Sequence, residues 1–184
     1  RMAQDDTLPK QYLEINGRTL LEHSLIRLDS TNLFAGIVVV LNEDDTHWQS
    51  LTPEVSVHVI TATGGKERVH SVLNGLAALE GQAAEDDWVL VHDAARPCIK
   101  PQDVAALIQT FADTDVGGLL AMPVNDTIKQ AGADMKVSTT LDRKLLWRAA
   151  TPQMFRLGLL NRALASAVAN DEFVTDEAQA MENA

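Results

Sequence analysis

The sequence predicts an α/β fold: a mostly parallel sheet with helices on both faces and a protruding β-hairpin arm. Three observations predict it. Short apolar runs at 36–41, 55–60, 89–91 and 116–124 suit strands buried on both faces. Helical three-and-four spacing alternates with these runs up to residue 124, the pattern of right-handed crossovers over a parallel sheet. After Val124 the pattern changes to two alternating segments, 127–130 and 136–141, joined through Ala131-Gly132-Ala133-Asp134 as a hairpin. At 184 residues the chain fits one domain, residues 1–184, able to bury roughly 70% of its unfolded surface without a disulfide or metal staple.

The elements follow in order. Polar residues ending in Pro9 make a loop, and Asn16-Gly17 marks a turn. Thr19 and Glu22 are spaced as a capping box ahead of Leu21, Leu25 and Leu28 on one helix face. The strand at 36–41 leads into an acidic loop with a short helix containing Trp48. After the strand at 55–60, Gly64-Gly65 opens a helix carrying Val69, Val72, Leu73, Leu76 and Leu79. Pro101 sits in the first turn of a helix burying Val104, Leu107, Ile108 and Phe111. A lone hairpin is marginal in water, so the arm at 125–147 calls for a packing partner, most economically a second subunit. Residues 142–153 return the chain to the body and a helix bearing Leu160, Ala163, Leu164, Ala167 and Val168. A last helix opens at Thr175, its hydroxyl as cap and Asp176 and Glu177 in the first turn.

Composition excludes several function classes. A formal net charge of −11 argues against nucleic-acid binding, which needs a contiguous basic surface, so a phosphorylated ligand must be held by a few positioned cations. No apolar run approaches the ~20 residues of a membrane span. The single cysteine, Cys98, excludes an internal disulfide, fits a reducing cytoplasm, and is expected to be an inert packing residue.

The chemistry concentrates where the strand at 89–91 stops. His92, Asp93 and Arg96 follow it, with Ala94 and Ala95 between them and Pro97 ending any ladder. Ligands of open α/β sheets bind outside the carboxyl ends of strands, so the acid and the guanidinium fit a ligand site, and they equally fit a salt-bridged cap. Gly64-Gly65 adds backbone N–H groups at a helix start, suited to an anion or a polar base edge, although most such turns bind nothing.

Several segments together resemble the 2-C-methyl-D-erythritol 4-phosphate cytidylyltransferase family: Pro9-Lys10-Gln11-Tyr12, Gly64-Gly65-x-x-Arg68-x-x-Ser71-Val72, Val91-His92-Asp93-Ala94-Ala95-Arg96-Pro97, Pro123-Val124-x-Asp126-Thr127-x-Lys129, Asp142-Arg143, Trp147, Thr151-Pro152-Gln153 and Thr175-Asp176-Glu177-Ala178. Their joint order over nearly the whole chain makes the resemblance specific. It implies a Rossmann-like domain that joins CTP to a polyol phosphate and releases pyrophosphate, with Mg²⁺ on the phosphates. It further implies a cytoplasmic homodimer formed through the arm.

Residue by residue, the resemblance gives Arg1 and Lys10 the triphosphate and the transition state. Gly65, Arg68 and Ser71 match positions that hold cytosine and ribose, Asp93 lies near the ribose and metal-bound phosphates, and Ala94 lies against the nucleotide. Arg96, Thr127, Arg143, Thr151 and Thr175 fall where the acceptor phosphate substrate binds, Arg143 reaching the neighbouring subunit's site. Without the family, Lys10 reads as a solvated loop lysine, Ser71 as a hydroxyl bonded to its own helix, Arg143 as an exposed arm residue and Thr175 as a helix cap. The family's first strand and glycine-rich loop would precede Arg1, and a lysine-bearing segment would follow Ala184. The expectation is therefore that the chain is trimmed or that its ends are disordered, with an incomplete nucleotide pocket either way, and that residues 1–184 alone fold poorly. Two other readings stand beside this one: a ribitol-5-phosphate cytidylyltransferase, and a nucleotide-binding protein of the same fold without turnover.

Overall fold

The structure, a computed structural model, describes residues 8–184. Strands β1 (Glu14–Ile15) and β2 (Arg18–Thr19) form a tight hairpin. Asn16 (φ 54°) and Gly17 (φ 76°) both take the left-handed conformation that such a turn demands. Thr19 then caps α1 (Leu20–Asp29) by the predicted capping box: its Oγ1 accepts the Glu22 N–H at 3.1 Å, and the Glu22 carboxylate accepts the Thr19 N–H at 2.9 Å. Strand β3 (Gly36–Leu41) pairs in parallel with β4 (His58–Thr63) over their whole length, and α2 (Arg68–Ala77) packs against both. The turn with Trp48 is a short 3₁₀ segment, Trp48–Ser50.

Strands β5 (Trp88–Val91) and β6 (Gly117–Pro123) are linked by α3 (Pro101–Phe111). They run the same way, as the alternating pattern predicts, but they do not pair with each other. Strand β9 (Trp147–Arg156) lies between them, antiparallel to both. The segment expected to be a return connection is thus the central strand of a three-stranded sheet, and this part of the fold is antiparallel rather than parallel. Its sequence hides the strand because residues 152–155 are buried on both faces and show no alternation, while Pro152 argues against a central strand. The proline is tolerated because the β6 ladder breaks its register there, Leu119 facing Gln153 and Ala121 facing Ala149, and the β5 ladder ends at Gln153. Strand β7 (Lys129–Ala131) pairs antiparallel with β8 (Val137–Thr140) as a hairpin, and neither strand buries a residue.

Two apolar clusters hold the described residues together. One joins Leu76 of α2, Phe155 of β9, Leu160 and Leu164 of α4 (Leu157–Ala169) and Ala178 and Ala180 of α5 (Glu177–Asn183). The other joins Tyr12, Leu21, Leu25 and Val39. Leu160 is fully buried. Leu160→Ala is expected to cost about 2–5 kcal/mol, seen as a lower urea midpoint with an unchanged slope, because it removes apolar contacts and leaves a cavity. Cys98 corrects an expectation: it is exposed and contributes to neither cluster.

Candidate active site

The site is built at the carboxyl end of β5. Four side chains of alternating charge meet there. Asp93 accepts Arg96 Nε on one carboxylate oxygen at 2.6 Å and Arg68 Nη1 on the other at 2.7 Å. The remaining edge of the Arg68 guanidinium, Nε and Nη2, donates to the two oxygens of Glu177 at 3.1 and 2.9 Å. Side-chain exposure is 2% at Glu177, 41% at Arg68, 25% at Asp93 and 57% at Arg96, so the row has one end in the core and the other at the surface. Arg68 is held above its ordinary pKa: burial opposes its charge, and the Glu177 and Asp93 carboxylates outweigh that cost. The strand tip therefore carries an ion pair between the acid and the base that the sequence separates by two alanines.

The loop bearing these charges is fixed by a defined chain of hydrogen bonds. His92 Nε2 lies 3.1 Å from the Arg96 carbonyl, which can only accept, so Nε2 carries the proton. His92 Nδ1 then accepts from the Thr151 hydroxyl at 3.0 Å, and Thr151 Oγ1 accepts the Asp93 N–H at 3.3 Å. From α1, the buried Ser24 hydroxyl donates to the Ala94 carbonyl at 2.6 Å. Burial holds the His92 imidazole below its ordinary pKa, outweighing the Arg96 carbonyl and the Asp93 charge, which raise it. The unfolded chain then takes up this proton near the usual value of about 6.5 and the folded chain only at lower pH. His92 thus contributes stability above pH ~6.5 that is lost as pH falls through its folded value. Melting curves from pH 7.5 to 5 are expected to show this loss, with a shallower slope for His92→Gln.

At the start of α2, the Gly65 N–H donates to Ser71 Oγ at 3.0 Å, and Ser71 Oγ also lies 3.1 Å from the Glu67 carbonyl. A Cβ on Gly65 would sit 2.3 Å from that of His70, so the turn admits only glycine. Ser71 is thus bonded locally, and what it braces is the Gly65 turn. Lys10 is exposed on a 3₁₀ turn, Lys10–Tyr12, anchored by the buried Tyr12, whose hydroxyl donates to Asp45 at 2.7 Å. Arg1 lies outside the described residues.

Of the predicted residues, the fold brings together Arg68, Asp93, Ala94, Arg96 and Thr151, with Gly65 and Ser71 at the start of the same helix as Arg68. Arm residues stand apart within this chain. Thr127 is exposed, and exposed Arg143 donates to the Asn125 carbonyl at 2.6 Å. Thr175 is not the cap of α5: Asp176 caps it, accepting the Gln179 N–H at 2.9 Å, while the Thr175 hydroxyl donates to the Gln179 side chain. The aspartate wins because it lies at the extended residue just before the first helical turn. Gln153 and Ser24 carry no site role in the sequence reading, and Glu177 only that of an acid in a first helical turn. The only trace of Glu177 and Gln153 is their place in Thr175-Asp176-Glu177 and Thr151-Pro152-Gln153, since a buried polar residue has no periodicity of its own.

Among the described residues no group of three or more His, Cys, Asp or Glu could hold a metal ion. The donor set at the strand tip, one partly exposed carboxylate, fits an ion that takes most of its ligands from phosphate and water, which is the habit of Mg²⁺.

A family model described as 2-C-methyl-D-erythritol 4-phosphate cytidylyltransferase matches residues 1–184. A protein of that name from Pseudomonas entomophila is 51% identical over 183 residues, 99% of this chain and 77% of the relative. Its namesake from Pseudomonas aeruginosa is 51% identical over 175 residues, covering 95% and 75%. Among solved structures, one described as 4-diphosphocytidyl-2C-methyl-D-erythritol synthase superposes with a TM-score of 0.81 at 43% identity, covering 95% of this chain and 80% of that one. The cytidylyltransferase of Francisella tularensis gives 0.81 at 34% identity, covering 96% and 80%.

Proposed function

The chain belongs to the 2-C-methyl-D-erythritol 4-phosphate cytidylyltransferase family, and from that premise we propose that its strand-tip charges carry out the transfer the family is named for. CTP and 2-C-methyl-D-erythritol 4-phosphate are its substrates, and the CDP-polyol and pyrophosphate its products, in the non-mevalonate route to isoprenoids. The observation that carries this reading is the placement of Arg68, Asp93 and Arg96 at one strand end of a family member, with an exposed lysine on a separately anchored turn.

The attacking group is an acceptor phosphate oxygen, anionic already, so no general base is needed. Catalysis rests on holding two phosphates in line and on neutralising charge at the α-phosphate. Lys10 and Arg1 face the triphosphate. Gly65, Arg68 and Ser71 receive the base and ribose, Ala94 packs on the nucleotide, and Asp93 faces the ribose and the metal-bound phosphates. Arg96, Thr127, Arg143, Thr151 and Thr175 receive the acceptor. Thr151 gives its hydroxyl proton to His92, so besides facing the acceptor it helps set the loop that aims Arg96. A Mg²⁺ ion, when bound, adds positive charge on the phosphates, and Asp93 is the residue that would help hold it.

Residues 1–184 act as one nucleotidyltransferase domain of Rossmann-like type, with 125–147 as a dimerisation arm. The support is an arm without buried strand residues that displays Met135, Val137, Leu145 and Trp147, each more than half exposed. Pairing of two copies places Arg143 in the partner's acceptor site. A reducing cytoplasm is the setting that suits a chain with one exposed cysteine. No helix among the described residues is long and apolar enough to cross a membrane.

The test is pyrophosphate release from CTP with each of two acceptors. Turnover with 2-C-methyl-D-erythritol 4-phosphate and little with ribitol 5-phosphate is expected. Preference for ribitol 5-phosphate would overturn the acceptor assignment, and CTP binding without turnover on either acceptor would overturn the enzymatic one.

A further inference from the structure

Glu177 is the least exposed charged residue in the strand-tip row, at 1% of its accessible surface. Both of its oxygens are taken by the Arg68 guanidinium, in a two-pronged pair that fixes the plane of that group. The third donor of Arg68, Nη1, is thereby aimed at Asp93. The arrangement also sets the charge that Asp93 presents. Arg68, Asp93 and Arg96 alone would carry one net positive charge; with Glu177 behind Arg68 the row of four is neutral, and Asp93 and Arg96 are left as a balanced pair.

Docking of α5 does not require this carboxylate. The helix is held independently by Gln153, whose amide donates to Asp176 at 2.9 Å and whose carbonyl accepts the Ala178 N–H at 2.8 Å. Ala178 and Ala180 are packed in the main core, and Asp176 supplies the cap. A buried carboxylate is costly to place, and here its recorded hydrogen bonds all go to one residue of the nucleotide side of the site.

We propose that Glu177 is a positioning residue for nucleotidyl transfer: it locks Arg68 so that the guanidinium meets the nucleotide in a fixed plane, and it offsets the Arg68 charge beside Asp93. This rests on the nucleotide-side roles given above to Arg68 and Asp93. Glu177 touches neither substrate and acts through Arg68.

The experiment is a double-mutant cycle in the full chain, with Glu177→Gln, Arg68→Gln and the double variant, reading kcat/KM for CTP from pyrophosphate release, with a melting curve for each protein. Glu177→Gln is expected to fold and to lose about 10- to 100-fold in kcat/KM, the usual scale for a group that orients a liganding residue. The double variant is expected to match Arg68→Gln within about twofold, because Glu177 has nothing left to orient. A purely structural role would make the two losses multiply, and that result overturns the proposal. So does a folded Glu177→Gln with unchanged kcat/KM. Should Glu177→Gln fail to fold, the double variant still decides, since it leaves no buried charge unpaired: kinetics equal to those of Arg68→Gln support the proposal, and a further drop overturns it. If Arg68→Gln itself turns over normally, the nucleotide-side reading has failed and the proposal falls with it, whereas an impaired Arg68→Gln beside a normal Glu177→Gln removes the proposal alone.

Discussion

Lys10→Ala is expected to lower kcat by about 10²- to 10³-fold, the scale of losing one preorganised charge-stabilising donor, or about 2.7–4 kcal/mol in the barrier. The fold should not notice. Lys10 is exposed, and its turn is held by Tyr12, which is buried at 4% exposure and bonded to Asp45, not by the lysine side chain. Burial and the Asp45 carboxylate also push ionisation of the Tyr12 hydroxyl far above its ordinary range, so this anchor keeps its proton, and Lys10 its place, over the working pH range. Because the ammonium is needed where charge develops, KM for CTP should move much less than kcat. Lys10→Arg should recover little, since a planar fork does not replace a point charge. Single-turnover pyrophosphate release checks this, and a rate near that of the unaltered enzyme would remove Lys10 from the mechanism.

Asp93→Ala is expected to cost about 10²-fold or more in kcat/KM for CTP. Its carboxylate bridges Arg68 and Arg96, and deleting it unties the exposed Arg96 guanidinium from the loop and leaves Arg68 held by Glu177 alone. A misplacement of about 1 Å suffices for a loss of this size in a reaction that depends on alignment. Stability should change little by comparison, because the Asp93 side chain is a quarter exposed and such pairs contribute modestly. Asp93→Asn retains the shape and loses the charge, so it should fold as the parent does and still be slow. Kinetics of the two variants beside their melting curves make the comparison, and a fast Asp93→Asn would show that shape at this position is enough.

Local signals were legible in the sequence because they rest on contacts within a few residues. The Thr19–Glu22 box, the Asn16-Gly17 turn and the arm hairpin are of this kind, as is the end of β5 at Val91 followed by its acid and its base. Strand β9 was not legible: burial on both faces removes alternation, and Pro152 is admitted only through a register break that exists once β6 is in place. Similar reasons hid half of the site. Glu177 and Gln153 are long-range partners, of Arg68 109 residues away and of Ala178 25 residues away, and nothing next to them in the chain announces those bonds. Thr175 was misassigned by one residue because Thr and Asp are both good caps and only backbone geometry selects Asp176. Cys98 was expected to pack, yet the loop after Pro97 turns it outward.

The central claim is that the acceptor phosphate attacks the α-phosphorus directly, with positioned charges and no enzyme nucleophile. The stereochemical course at phosphorus tests it most directly, using CTP made chiral by one sulfur at the α-position and analysing the CDP-polyol product. A single in-line displacement predicts inversion of configuration. Retention would mean two displacements through a covalent nucleotidyl-enzyme and would contradict the account.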